Sequence, residues 1–482
     1  MASNWKRDFN CTFLQQYMKS GIIATPPHRP RELLIFLYLL VIVGIWVAAW
    51  TIGYLDFDVS SSTREYTKGF SSTQRSFRPS RHNWVRQHPQ SPYYKRSYHF
   101  DSSVSRDRAI VLCLADSIMA MGLSLIRELR CFGNQDLVQV YHCGANELSA
   151  KSQELLLSLD NRLEMVDACS DLVHRNLFTE NMAKKFQNWY IKLLAMYHTD
   201  VRHVMLMDAD DIFLADPAQL RELDGYKQTG TLFFYDRVVR CTRFLAMKDH
   251  NESYLNRLFR TFPYDEFNIT EGEHVSDQTK ESFAYNGKSC HEMDSSLVLI
   301  DKSLVSSRVF DVMFWFFTKE RFRIRYSFGD KETFWLSFEI AHEPYFFSPW
   351  GVSVVSSTPN EDLEKHPDTL CGSILQYMPV ESRQSEVLYL NGKALIAPYP
   401  QGVKLLQMAS LTQQYNAFPT HMTPRQRRTE IRPTKLKLPI HCLTGLGSTP
   451  LPQKFFQLLL RRQLHFLGIM TGVLGPLTLC EL

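Results

Sequence analysis

An α/β fold with parallel strands, carried behind a single membrane-spanning helix, is the architecture this sequence predicts. Three observations predict it. From Ala109 onward, short apolar runs alternate with amphipathic helical segments; Leu33 to Leu55 is a long apolar run without one charge; and the apolar strand Val204 to Met207 runs straight into Asp208-Ala209-Asp210.

The run at 33–55 is 23 residues long, enough at about 1.5 Å per residue to cross a hydrocarbon core of about 30 Å. Lys6, Arg7, Lys19, Arg29 and Arg31 precede it and Asp56 and Asp58 follow it, so residues 1–32 are expected in the cytoplasm and the remainder in a lumen. A cleaved signal peptide fits less well, because the run is too long and no small-residue cleavage site follows it. On that topology every cysteine but Cys11 lies in an oxidising compartment, and nine cannot all pair. Asn251 and Asn268 then head usable glycosylation sequons, whereas Asn10 does not. Residues 56–106 are polar and basic without a sustained period and read as a stem, with a surface-bound arm of the following domain as the alternative.

Next come a strand at Ala109, a helix carrying Ile118, Met121, Leu125 and Leu129 on one face, a strand over 137–143, a helix over 150–159 and a strand over 162–166. Phe186 to His198 is predicted as one helix apolar on most faces. Asp216-Pro217 supplies a cap and a first-turn proline for a helix through Leu223, and Thr231 to Tyr235 gives a further strand. From Thr423 onward the chain turns basic and is broken by proline and glycine; residues 401–482 are expected to be a poorly ordered extension outside the core.

Composition narrows the chemistry. With 482 residues, 44% of them hydrophobic, the chain can bury a large core. The net charge of +4 is not gathered into a stripe, so nucleic acid is not an expected partner. No C-x-x-C pair or zinc-spaced Cys/His cluster occurs.

Two carboxylates one residue apart, on a turn leaving a buried strand, can meet one divalent ion that bridges a diphosphate; Mn²⁺ or Mg²⁺ suits such oxygen ligands. The strand end is also where open α/β sheets bind ligands. A helix-loop-helix calcium site fails, since Ile212 and Phe213 stand where an oxygen ligand and a glycine are needed. An aspartyl-phosphate phosphatase pattern fails at Asp211. Lys192, on the apolar helix 16 residues before Asp208, must find an anion if buried: a donor phosphate, a structural carboxylate, or solvent by snorkelling.

FQNWYIKLLAMYHTDVRHVMLMDADDIFLADP, GTLFFYDR, MDSSLVLIDKS and FGDKETFW, in that order, resemble the fungal α-mannosyltransferase family of the Golgi. The resemblance spans about Ala109 to Gly392 and takes in LYLNG near its end. It implies a GT-A (Rossmann-like) domain over 107–400, type II membrane topology, a GDP-mannose donor, a glycan or glycoprotein acceptor, and transfer with retention. It implies that Asp208 touches metal and donor ribose, that Asp210 holds the metal, and that Lys192, Asp116 and Arg237 meet the donor. Asp294 and Asp330 become candidates for the carboxylates beside the reacting sugar, with loop hydrogen bonding as the alternative. Asp294 and Leu297 replace the family's usual Glu and Gln, which leaves a lectin-like or scaffold role as a second reading; a metal phosphohydrolase, from another enzyme class, is a third. A late histidine on the metal is also implied; His342 and His366 are candidates, and Gln376 stands closest to its position.

Overall fold

The structure, a computed structural model, describes residues 91–187, 189–270, 272–356, 368–396, 419–430, 441–472 and 480. The expected cytoplasmic tail, the membrane helix at 33–55, the stem as far as residue 90, and His366 lie outside these residues. Among the described residues no helix is long and apolar enough to cross a membrane.

Two sheets meet at the acidic triplet. The first contains β1 (Tyr94–Arg96), β2 (Arg108–Cys113), β3 (Leu137–His142), β4 (Leu163–Asp167), β5 (His203–Met207), β7 (Thr231–Tyr235) and β10 (Met293–Asp301), in the spatial order β1-β4-β3-β2-β5-β10-β7. The second contains β6 (Asp211–Phe213), β11 (Ser353–Ser356), β12 (Thr369–Tyr377), β13 (Val387–Asn391), β14 (His421–Met422) and β16 (Thr449–Pro450), with β15 (Cys442–Thr444) added to β12. A small hairpin of β8 (Lys248–Asp249) and β9 (Glu252–Ser253) stands apart.

The predicted parallel core is present: β2 pairs in parallel with β3 and β5, and β3 with β4. Its strands are apolar on both faces, Ala109 to Leu112 being fully buried, because helices cover both sides of a parallel sheet. β10 runs antiparallel between β5 and β7. Asp294 faces Phe234 but Leu299 faces Leu232, so β10 carries three more residues than β7 there and bows outward around Ser295 and Ser296.

The long helices are α1 (Met119–Cys131), α2 (Ala150–Leu159), α3 (Ile191–His198), α4 (Tyr254–Thr261), α5 (Ser307–Trp315), α6 (Lys331–Ala341) and α7 (Gln453–Thr471). The helix expected from Phe186 begins only at Ile191. The side chains before it fan out: Phe186 stacks on Phe178, while Gln187 donates to the Cys143 carbonyl at 2.9 Å. The helix expected from Asp216-Pro217 through Leu223 is a 3₁₀ helix, Pro217–Glu222, capped by the Asp216 carboxylate on the Ala218 amide.

Two boundaries move. Residues 91–106, expected in the stem, belong to the domain: β1 pairs with β4, and Arg96 and Arg106 reach the buried Glu164, Arg106 also gripping Asp200 at 2.7 Å. An unpaired carboxylate at Glu164 would be costly, which ties the arm down. The extension expected to be poorly ordered is integral where it is described. β14 and β16 extend the second sheet, α7 packs along α1, and the buried Arg428 pairs with Glu292. Cys131–Cys480 and Cys371–Cys442 fasten it covalently; Cys143–Cys169 and Cys241–Cys290 are the other bonds, and Cys113 is the odd cysteine.

Candidate active site

Because β2, β5 and β7 point one way and β10 the other, the carboxyl ends of the first three and the amino end of β10 share an edge. Asp116 follows β2, Asp208 follows β5, Asp236 and Arg237 follow β7, and Asp294 to Ser296 open β10. An edge of this kind is the usual ligand crevice of an open α/β sheet.

The turn Asp208-Ala209-Asp210-Asp211 joins the two sheets, and its side chains divide the work. Asp211 is fully buried and structural: its carboxylate accepts the Asp208 amide at 3.2 Å and the Asn391 side-chain amide at 3.0 Å, across the β6–β13 pairing. Asp208 and Asp210 are left partly open, Asp210 accepting from Asn391 at 3.1 Å. The Ala209 carbonyl is bound from behind by the buried Arg462 of α7, at 2.8 Å.

Lys192, in the first turn of α3, is buried and lies 2.9 Å from Asp208 Oδ1 and 3.3 Å from Asp330 Oδ2. It also donates to the Ser295 carbonyl at 2.7 Å and to Ser295 Oγ at 3.2 Å, which pins the outward bow of β10. Burial weakens its hold on the proton, but the Asp208 and Asp330 carboxylates outweigh burial and keep the ammonium charged. Of the three partners open to Lys192 in sequence, the structure supplies carboxylates.

Burial pushes the carboxyls of Asp208, Asp210 and Asp211 upward, and at Asp208 repulsion from Asp210 and Asp330 adds to it against the pull of Lys192. About a third of the Asp208 side chain is exposed, which softens the effect there. Four carboxylates (Asp208, Asp210, Asp211, Asp330) face two cations (Lys192, Arg462), a surplus of two negative charges when all are ionised. All-oxygen donors beside that surplus are the kind a hard divalent cation takes, and Asp208 and Asp210 are the two of the triplet's acids that stay partly open.

The other expected residues fall out unevenly. Asp330 precedes α6, is buried, and its Oδ2 makes no hydrogen bond. Asp294 is buried at the same edge, but its carboxylate is filled: it accepts from the Ser296 amide at 3.1 Å, Ser296 Oγ at 2.9 Å, Gln376 Nε2 at 3.1 Å and Tyr389 Oη at 3.3 Å. That is the loop-bonding alternative, with Asp294 shaping the bow of β10. Gln376 spends its amide on Asp294 and the Tyr235 carbonyl. Arg237, also expected on the donor, reaches toward the second sheet, donating to the Gly372 carbonyl at 2.8 Å, with the Asp236 and Asp294 carboxylates near its charge. Asp116 is exposed, with one oxygen accepting the Ser149 amide and hydroxyl. His342 caps the far end of α6, about 18 Å along the helix axis from Asp330, too far to share an ion with Asp208.

Arg462, Asn391 and the Asp236–Lys331 pair were not among the expected residues. Burial raises the Asp236 carboxyl, but Lys331 at 2.5 Å and Arg237 bring it down to about 2, so it stays ionised. For Arg462 the signal was an arginine on the apolar face that carries Phe455, Leu459, Phe466 and Ile469, one helical period apart along α7.

A family model described as "Mannosyltransferase putative" matches residues 107–379. Curated relatives include "Putative alpha-1,3-mannosyltransferase MNN14" of Candida albicans, 28% identical over 50% of this chain and 34% of its own length. "Probable alpha-1,3-mannosyltransferase MNT4" of Saccharomyces cerevisiae is 26% identical over 61% of this chain and 50% of its own, and "Alpha-1,3-mannosyltransferase MNT2" of the same yeast is 23% identical over 69% and 60%. The chain thus spans about a third to three fifths of these relatives. Among solved structures, the galactosyltransferase LgtC with donor and acceptor sugar analogs is 11% identical over 48% of this chain and 70% of that one, at a TM-score of 0.30. The WbbM bifunctional glycosyltransferase is 12% identical over 52% and 39%, at 0.32. Asp116, Lys192, the acidic triplet, Asp294 and Asp330 all fall inside the family match, which takes in more than half of the 482 residues, and the chain therefore belongs to this mannosyltransferase family.

Proposed function

We propose that the protein is a metal-dependent, retaining α-mannosyltransferase with a GT-A domain, taking mannose from GDP-mannose to a glycan or glycoprotein acceptor as a type II membrane protein of the Golgi lumen. The observation that carries this reading is the meeting of Lys192, Asp208, Asp210 and Asp330 at the carboxyl edge of the sheet, with more carboxylate than cation. Four disulfides among the described residues suit an oxidising lumen.

Asp208 and Asp210 would hold Mn²⁺ or Mg²⁺, which when bound neutralises charge on the departing nucleotide diphosphate. Lys192, kept charged by its two carboxylates, lies where it can meet the donor. Asp116, on the β2 side of the triplet and exposed to solvent, is the nucleoside contact. Asp330, with Oδ2 buried and without a hydrogen bond, is the carboxylate beside the reacting sugar; Asp294 acts through the bow it holds.

Incubation with Mn²⁺, a panel of sugar nucleotides and mannose-terminated acceptors tests the reading. Transfer from GDP-mannose, abolished by chelation, is expected. Glycan binding without turnover would favour the lectin-like alternative, and phosphate release from simple esters without transfer would favour a phosphohydrolase.

Two further outcomes follow from the charge balance. The triplet's carboxyls are raised in the metal-free fold, so that fold binds their protons more tightly than the unfolded chain does. Their contribution to stability is full at low pH and is lost as pH rises through the folded values, about 7 for Asp208. The cation competes with those protons. The Tm gain from Mn²⁺ is therefore expected to be larger near pH 8 than near pH 5.5 by differential scanning fluorimetry, and an equal gain at both would contradict the assignment. Arg462→Met, which frees the Ala209 carbonyl, is expected to weaken Mn²⁺ binding about 10- to 100-fold by calorimetry, in the range of lost supporting contacts at metal sites.

A further inference from the structure

We infer that Trp189 and Phe328 form a stacking platform for a hexopyranose ring of the acceptor glycan, next to the acidic turn. This rests on the proposed transfer reaction for its ligand, and on its own geometry for the site.

Among the described residues, Trp189 and Phe328 are two of the few large apolar side chains left in solvent, at 62% and 46% exposure. They are in contact, with ring centroids 5.6 Å apart. Aromatic rings left in water forfeit hydrophobic stabilisation, so their joint exposure calls for an occupant.

The backbone is arranged to present them. Gly329 adopts a left-handed φ of +79°, and a Cβ there would lie 3.2 Å from the Trp189 ring, so the indole rests directly on the glycine backbone. On the other side of Phe328, Phe244 holds a positive φ of 54°, unusual for a bulky residue, with its ring 5.8 Å from Phe328. Trp189 accepts the Lys192 amide through its carbonyl at 3.2 Å, and Gly329 immediately precedes Asp330. The platform is therefore joined through the backbone to Lys192, which meets Asp208, and to Asp330, which meets Lys192.

Its chemistry and its side of the sheet select the ligand. A pyranose offers a C–H face that packs on aromatic rings and a rim of hydroxyls that needs donors and acceptors. A charged pair borders the platform: Lys331 Nζ lies over the Phe328 ring, 5.7 Å from its centroid, and is bonded to the ionised Asp236. A nucleobase would also stack. Asp116, however, follows β2, on one side of β5, whereas Phe244 and Asp236 follow β7 and lie beyond β10 on the other. The acidic turn separates the two, which leaves the acceptor sugar for the platform.

The test uses Trp189→Ala, Phe328→Ala and Trp189→Phe in the full chain, with α-1,2-mannobiose as acceptor probe and GDP with Mn²⁺ as nucleotide probe. Exposed side chains are removed, so Tm should be unchanged. The alanine variants are expected to raise the acceptor KM about tenfold, Trp189→Phe to recover most of it, and the Kd for GDP to stay within about twofold. Transfer with an unchanged acceptor KM would overturn the platform while leaving the transferase reading intact. Weakened GDP binding would also overturn it, in favour of a base stack. If the wild type shows no transfer, saturation-transfer NMR with mannobiose decides: signal lost on Trp189→Ala supports the platform without the transferase reading, and signal retained or never present rejects it.

Discussion

Asp210→Asn is expected to lower mannosyl transfer by at least about 10³-fold in saturating donor while leaving the protein folded. A bound divalent ion supplies several kcal/mol of stabilisation to a departing diphosphate, and each 1.4 kcal/mol or so is a factor of ten. The amide keeps an acceptor for the Asn391 side chain but is a poor ligand for Mn²⁺. It also removes one charge from a cluster in which burial and mutual repulsion already oppose ionisation. The metal-free Tm should therefore hold steady or rise, and the Mn²⁺-dependent Tm gain should disappear. A variant that transfers at near the wild-type rate would remove Asp210 from the metal site.

Lys192→Met is expected to be the most destabilising of these changes. It leaves the Asp208 and Asp330 carboxylates without their shared ammonium and the Ser295 carbonyl without its donor. Breaking a buried ion pair from one side costs about 3–5 kcal/mol. The partial exposure of Asp208 places the expectation toward the lower end, read as a drop in the urea midpoint at unchanged m. Adding Asp330→Asn should return part of the loss, since an amide needs no counter-ion. If the double variant is no more stable than the single one, Lys192 and Asp330 are not coupled as their 3.3 Å separation indicates. Transfer should fall in both variants.

What could be read in the sequence was whatever local pattern decides. Val204 to Met207 had to be a buried strand, and acids directly after it had to stand at its carboxyl end. The strands from Ala109 to Val166 were equally legible, since each is a short apolar run between turn residues. The pieces that escaped depend on which distant group a side chain meets. Asp294 and Asp330 look alike in sequence, yet one carboxylate is filled by Ser296, Gln376 and Tyr389 while the other keeps an oxygen without a hydrogen bond. The helix start was misplaced by five residues because Gln187 is drawn to the Cys143 carbonyl and Trp189 to Gly329, contacts invisible to periodicity. The basic, proline-rich character of the last segment suggested a loose tail, but its arginines are there to meet buried acids and carbonyls: Arg428 with Glu292, Arg461 with Glu128, Arg462 with Ala209.

That last contact has a bearing on biosynthesis. The acidic turn and the arginine that braces it are separated by 253 residues. At about 5–20 residues per second, a ribosome needs roughly 10–50 s to cover that stretch. During that interval the early strands can assemble, but the carbonyl of Ala209 has no permanent partner and the second sheet lacks β14 and β16. The nascent domain thus finishes its donor side only after α7 has docked on α1, with Cys131 then available to close on Cys480. Competence to bind metal should accordingly appear late and in one step, as a post-translational checkpoint on whether the whole domain has been made.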